Sequence, residues 1–282
     1  MAIGDSTRIN TNIAAYNALA ALKNINRNLE KSQLQLATGK RINEVADDPA
    51  GYVISTRLNA RSKGLATAYD NVGTAKNVLA IAEGGLFNIS DIIVTMKEKV
   101  TQAASDTLSS AERNAIKTEI NQLTAEIDNI VSETLFNNIS LIDGTYTGIS
   151  YQTGEGTTNT LVFDISQDHT ATGLGIASGN VSNRVFTATG SSIALAYVNT
   201  ALETVSNSLQ QVGATVSRLT VKESTLSVAI TNTEATKSRI LDADIAKQQL
   251  ESTRLQILQQ TATAQLAQAN VIPQNVLALF SG

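Results

Sequence analysis

The sequence predicts a mainly α fold: a long antiparallel coiled-coil rod with its terminal helices paired, plus a small β-hairpin, a β-rich insert at the turn. Three observations carry this. Apolar residues recur at heptad spacing in several stretches of the 282-residue chain. Gly39 and Asp48-Pro49 punctuate the first of those stretches as a helix stop and a helix start. The one region that alternates apolar with polar residues lies between them.

The elements follow in order. The first helix carries Ile9, Ile13, Tyr16 and Ala20, then, after a shift, Leu22, Ile25, Leu29 and Leu36. Gly39 stops it, and Asp48-Pro49 starts the next with an N-cap acid and a proline at the first helical position. From Leu65 an apolar seam runs through Tyr69, Val72, Leu79, Leu86, Ile89, Ile93, Met96 and Val100 to Ala103, with Lys76 and Glu83 filling two seam positions. Ile116, Ile120, Leu123, Ile127 and Ile130 mark a shorter helix. Leu135 to Ile142, an Asp143-Gly144 turn and Tyr146 to Tyr151 predict a hairpin, with Leu161, Phe163 and Ile165 as a third strand. A further seam, Leu195, Val198, Leu202, Val205, Leu209, Val212, Val216 and Leu219, is unbroken for more than three heptads and resumes at Leu226 and Ile230. The last helix carries Leu255, Leu258, Ala262, Leu266 and Ala269, followed by Val276, Leu277, Leu279 and Phe280.

Composition narrows the function. Charged residues make up 16% of the chain, against about 25% in ordinary soluble domains. The polar surface is therefore largely Asn, Gln, Ser and Thr, which packs against copies of itself with little charge to desolvate. A formal net charge of -4 argues against a nucleic-acid footprint. No membrane-spanning stretch and no secretory signal are expected, and without cysteine there is neither a disulfide nor a thiolate metal site.

Both ends therefore point to a polymer. Isolated helices are marginal in water, and at several seam positions of the terminal helices alanine replaces a larger residue. One such helix does not bury enough against the other, so neighbouring copies are expected to complete the burial, with both ends poorly ordered in the free monomer. Successive copies joined through different patches generate a filament when the contacts do not close. The expected subunit-interface residues are Ile9, Ile13, Leu22, Ile25, Leu29, Leu36, Leu255, Leu258, Leu266, Val276, Leu277 and Leu279.

At these same ends the chain resembles bacterial flagellin. The motifs are Ile9-Asn-Thr-Asn12, Leu36-Ala-Thr-Gly-Lys-Arg-Ile-Asn43 and Ala46-Asp-Asp-Pro-Ala-Gly51, then Ser238-Arg-Ile-Leu-Asp-Ala-Asp244, Gln256-Ile-Leu-Gln-Gln260 and Leu266-Ala-Gln-Ala-Asn-Val-Ile-Pro-Gln-Asn-Val-Leu277. The resemblance implies an inner core domain of 1–45 and 239–282, an outer rod domain of 46–146 and 193–238, and a short variable surface insert at 147–192. It implies a structural subunit of the flagellar filament, secreted to the flagellum through the export apparatus without a cleaved signal peptide. The partners implied are other copies in a helical homopolymer, an export chaperone on the C-terminal helix, the filament cap protein and the hook-associated junction proteins. A hook–filament junction protein and an adhesive or receptor-binding surface module are the alternatives.

The resemblance also carries a possible patch for Toll-like receptor 5 over Thr95, Met96, Lys97, Glu98 and Lys99. Lys97 and Glu98 are similar to the family's Arg and Glu. Thr95 stands in place of a receptor-contacting Arg, and Lys99 in place of a Leu, so weakened receptor binding is expected.

No enzyme, cofactor or metal is expected. His169, the one histidine, cannot supply the histidine pair of a zinc-protease insert and is expected in a surface loop. Asp47, Asp48, Asp242 and Asp244 lie beside predicted helix boundaries and are expected to serve as caps or helix-dipole partners.

Overall fold

The computed structural model describes residues 11–280, with side chains to residue 271. Of the expected interface residues, Ile9 lies outside the described positions, and Val276, Leu277 and Leu279 lie beyond the described side chains. The mainly α prediction holds. Five helices, α1 (Ile13–Thr38), α2 (Pro49–Ala103), α3 (Ser110–Glu133), α4 (Ala188–Leu241) and α5 (Ile245–Phe280), flank four short strands: β1 (Leu135–Phe136), β2 (Ile139–Ser140), β3 (Tyr146–Gln152) and β4 (Thr160–Ile165). The chain divides into two compact units: residues 1–60 with 232–282, and residues 61–231.

Helix ends are set by local chemistry. The Asn12 side chain accepts the Ala15 N–H at 3.0 Å and caps α1, while Gly39, with φ 68°, closes it in the left-handed conformation that glycine adopts without strain. The Asp48 carboxylate accepts the Gly51 N–H at 2.9 Å and opens α2. Ser109 and Glu112 form a reciprocal capping box on α3. Asp244 accepts the Lys247 N–H at 3.1 Å at the start of α5.

The core of residues 61–231 is the apolar seam. Leu65, Val72, Leu79, Leu86, Ile89, Ile93, Met96 and Val100 of α2 are buried together with Ile120 and Ile127 of α3 and Val198, Val205, Val212 and Leu219 of α4. Burial of this kind removes apolar area from water at about 25 cal/mol per Å². Lys76 is tolerated at its seam position because its Nζ meets the Glu223 carboxylate at 2.7 Å.

Four expectations are corrected here. First, Asp143-Gly144 is not a hairpin turn. The hairpin closes earlier, β1 with β2, around Asn137 (φ 48°) and Asn138 (φ 66°). Two consecutive left-handed residues are what a type I′ turn needs, and asparagine tolerates them. The Asp143 carboxylate instead accepts the Thr145 N–H at 2.9 Å, and its backbone bridges to Asp168. This bend delivers β3 to β4, which pair antiparallel with Ile149 opposite Phe163 and a bulge between Tyr146 and Ile149.

Second, the segment 147–192 is not confined to the surface: Phe163, Ile165, Ile176, Val181 and Val185 belong to the core. Third, α2 contains an 18-residue stretch long and apolar enough by composition to cross a membrane, where none was expected. Its host helix supplies much of the core just described. Fourth, His169 is not a surface residue but fully buried. Its Nδ1 lies 3.1 Å from the Ile142 carbonyl and its Nε2 2.9 Å from the Ser208 hydroxyl, so both polar atoms of the ring are satisfied inside.

Candidate functional site

Helices α1 and α5 pair antiparallel, and polar side chains hold their register. Asn12 Nδ2 donates to the Ala269 carbonyl at 2.8 Å, Gln259 Nε2 to Asn26 Oδ1 at 2.9 Å, and Gln248 Nε2 to Ser32 Oγ at 2.8 Å. As the position on α1 rises from 12 to 32, its partner on α5 falls from 269 to 248.

The connections to α2 and α4 fix where this pair begins. The Arg41 N–H donates to the Leu241 carbonyl and its Nη2 to the Ile240 carbonyl, both at 2.7 Å. Arg41 thereby satisfies carbonyls that the end of α4 leaves orphaned. The Ala243 N–H returns to the Gly39 carbonyl at 2.9 Å, and Gln35 Nε2 donates to the Arg41 carbonyl at 2.6 Å. Lys31 reaches Asp47 at 2.7 Å. That ammonium, with the Asn43 and Glu44 N–H groups, holds the Asp47 carboxyl below its ordinary range. The Gly51 N–H, with Arg41 beside it, does the same for Asp48. Of the four boundary acids, Asp48 and Asp244 are N-caps, and Asp47 instead staples the loop.

The expected interface residues divide by where they lie on the pair. Leu29 and Leu255 are buried within it, 7% and 4% exposed. Leu22, Ile25, Leu36 and Leu266 are half-buried along the same seam. Ile13 and Leu258 face outward, as do Tyr16, Leu19, Leu34, Leu250 (73% exposed), Ile257 and Val271. Asn12, Ala15, Tyr16, Leu19, Leu266 and Asn270 line a groove of about 310 Å³.

The polar half of the seam was missed in the sequence, although a signal for it exists. On α1 the buried or half-buried positions Ala15, Ala18, Leu22, Ile25, Leu29, Ser32 and Leu36 step by threes and fours without a break. On α5 Gln248, Ser252, Leu255, Gln259, Ala262, Leu266 and Ala269 do the same. Spacing continued through serine and glutamine, instead of stopping at them, recovers both runs. It also places Leu258 outside the seam.

The five residues of the expected receptor patch differ in exposure. Met96 is fully buried in the core. Lys99 Nζ is paired with Glu119 at 2.7 Å. The Thr95 hydroxyl donates to the Asp91 carbonyl at 3.0 Å, one turn back on its own helix. Glu98 is exposed and Lys97 half-exposed. Among the described residues no group of three or more His, Cys, Asp and Glu could hold a metal.

Comparison with known proteins matches both ends of the chain. Residues 9–147 match the bacterial flagellin N-terminal helical region and residues 195–280 the bacterial flagellin C-terminal helical region. The chain is 35% identical over 303 residues to a flagellin of Bacillus subtilis, covering 97% of this chain and 99% of that one. It is 30% identical over 285 residues to a flagellin of Listeria monocytogenes, with the same coverage. Among solved structures, a putative flagellar hook-associated protein from Vibrio parahaemolyticus aligns with a TM-score of 0.60 at 13% identity, over 70% of this chain and 100% of that one. At that identity the likeness is one of fold alone.

Proposed function

Because the chain belongs to the bacterial flagellin family, a family of structural proteins of the flagellar filament, we propose that its outward terminal face is where neighbouring subunits close the polymer. The filament-subunit function is that of the family. The proposal concerns which surface of this chain performs it. The observation that carries it is the division of the α1–α5 pair. The seam is consumed within the chain, while Ile13, Tyr16, Leu19, Leu34, Leu250, Ile257 and Leu258 remain exposed on the same two helices. Apolar surface of that extent is costly in water and marks an interaction site. The groove lined by Tyr16, Leu19 and Leu266 accepts a side chain from a neighbour.

The rest of the reading follows from the same surface. The terminal helices gain their full order on assembly, because burial on one seam supports a long helix only weakly. The chain has no enzymatic role. It travels unfolded through the flagellar export apparatus, with an export chaperone covering the C-terminal helix, and folds below the filament cap next to the hook-associated junction proteins. Binding to Toll-like receptor 5 is weak, since Met96 and Lys99 are engaged within the subunit.

Seeded polymerisation tests the proposal. Purified protein is mixed with short filament fragments and viewed by negative-stain electron microscopy, beside Leu250→Asp/Ile257→Asp and a chain lacking 1–45 and 239–282. Elongation by the unaltered chain alone is the expected result. Filaments from the double variant at the normal critical concentration would remove the outward face from the interface. A reporter-cell dose response equal to that of a strong flagellin agonist would remove the receptor reading.

A further inference from the structure

His169 is the one histidine of the chain, and histidine is the side chain whose ordinary pKa lets it change charge between about pH 5 and 8. It is fully buried, in the segment between β4 and α4, where it joins three parts of the chain distant in sequence. Its own backbone N–H and its Nδ1 both lie 3.1 Å from the Ile142 carbonyl, just after β2. Its Nε2 lies 2.9 Å from the Ser208 hydroxyl of α4. A carbonyl can only accept, so Nδ1 carries the hydrogen in the neutral ring and Nε2 accepts from Ser208.

We propose that His169 is a single-residue acid sensor for the unit of residues 61–231, tying its hairpin, its turn segment and α4 together when neutral and loosening them when it takes a proton. The proton arrives from solvent on Nε2, which then donates to Ser208. The Ser208 hydroxyl hydrogen has a second acceptor waiting, the Thr204 carbonyl at 3.2 Å. No hydrogen bond is therefore orphaned by protonation. What changes is that a fully buried ring takes a charge, which is unfavourable without a close counter-ion.

Asp168, Asp143 and Asp128 come to this turn, and each is already engaged in hydrogen bonds. Asp168 adjoins the ring in sequence and favours its charged form, but its Oδ1 accepts the Thr170 N–H at 2.8 Å. Asp143, bridged to Asp168 through the backbone, takes the Thr145 N–H and hydroxyl. Asp128 of α3 accepts the Ala171 N–H at 2.8 Å. From α4 the contacts are Ser208 and, behind it, Thr204. Burial dominates these influences and holds the ring below its ordinary value of 6.5. The unfolded ring thus takes its proton first. Stability is fully present above about pH 6.5 and falls as the pH drops from there toward the folded value.

A lone histidine makes the test clean. Full-length protein labelled in histidine gives one ring signal by NMR, and it is expected to titrate with a midpoint below 6.5. A midpoint at or above 6.5 overturns the proposal. His169→Gln is expected to lose less melting temperature than the unaltered chain between pH 7.5 and 5.5, by several degrees. Equal losses would also overturn it. Where the glutamine variant does not fold, Ser208→Ala serves instead. It keeps the ring and removes the acceptor for its second proton, so the NMR midpoint is expected to fall further. An unchanged midpoint would take Ser208 out of the sensor and overturn the proposal as stated.

Discussion

The two units solve the same packing problem with opposite means. In residues 61–231 the helical seam is largely apolar, and Val72, Leu79, Leu86, Ile89, Ile93, Met96, Ile120 and Ile127 are wholly or almost wholly buried in it. In residues 1–60 with 232–282 the buried apolar residues, among those described, are Leu29, Ile42, Leu255 and Ala269, beside the buried polar residues Ser32, Gln35, Ser55, Thr233 and Ser252. Both seams obey the same three-four spacing. The first stabilises its unit without help, and the second sets a register while leaving most of its large apolar side chains outside. The difference teaches that heptad geometry and heptad energetics are separable: one stretch is built to be stable, the other to be completed by neighbours.

A set of substitutions and one change of pH would break or sharpen that contrast. The largest effect is expected from Leu86→Ala, which opens a cavity in a fully buried seam position and costs about 2–5 kcal/mol. Chemical denaturation of the monomer should register it in full. The formally similar Leu255→Ala should move the monomer far less and show itself as a higher critical concentration for elongation. Equal monomer losses for the two leucines would erase the distinction between the units.

Next comes Asp244→Ala, which removes the N-cap of α5 and costs about 1 kcal/mol. Helical content by circular dichroism should fall, with the unit of residues 61–231 melting as before. A comparable loss of about 1 kcal/mol is expected for Gln259→Ala, which cuts the hydrogen bond to Asn26. Cross-linking between cysteines introduced at positions 22 and 262 should then lose its selectivity over pairs one turn away.

The smallest effect is in acid. Asp47 is held below its ordinary value of 3.8, first by Lys31 and then by two backbone N–H groups. A depressed carboxyl contributes stability above its unfolded value and loses it as the pH falls through the folded one. The loop at 39–48 should therefore protect its amides from hydrogen exchange above about pH 4 and lose that protection below, and Asp47→Asn should flatten the dependence.

Legibility in the sequence followed the same division. The seams of α2 and α4 could be found because nearly every position is apolar, so periodicity alone locates them. The helix starts at Asp48-Pro49 and the stop at Gly39 were also readable, since those residues do in the fold what their chemistry favours. The α1–α5 register was not readable, because Ser32, Gln248 and Gln259 look like surface residues until the spacing is followed through them. The hairpin was misplaced because Asp-Gly outranks Asn-Asn as a turn signal, while the chain used Asn137-Asn138. His169 sits in a run of polar neighbours, and only the tertiary partners Ile142 and Ser208 make its burial favourable.

The amide and hydroxyl seam between the terminal helices has a kinetic face as well. Bonds such as Gln259 to Asn26 are individually weak and quickly remade, so a pair caught out of register has a short residence time before it separates and tries again. A greasy seam of equal length would hold its errors. Polymer growth that buries each subunit under the next leaves little time for repair afterwards, so correction belongs before burial. Replacing Asn26 and Gln259 together by leucine should slow the release of misaligned ends, seen as more frequent growth arrest when single filaments are watched elongating.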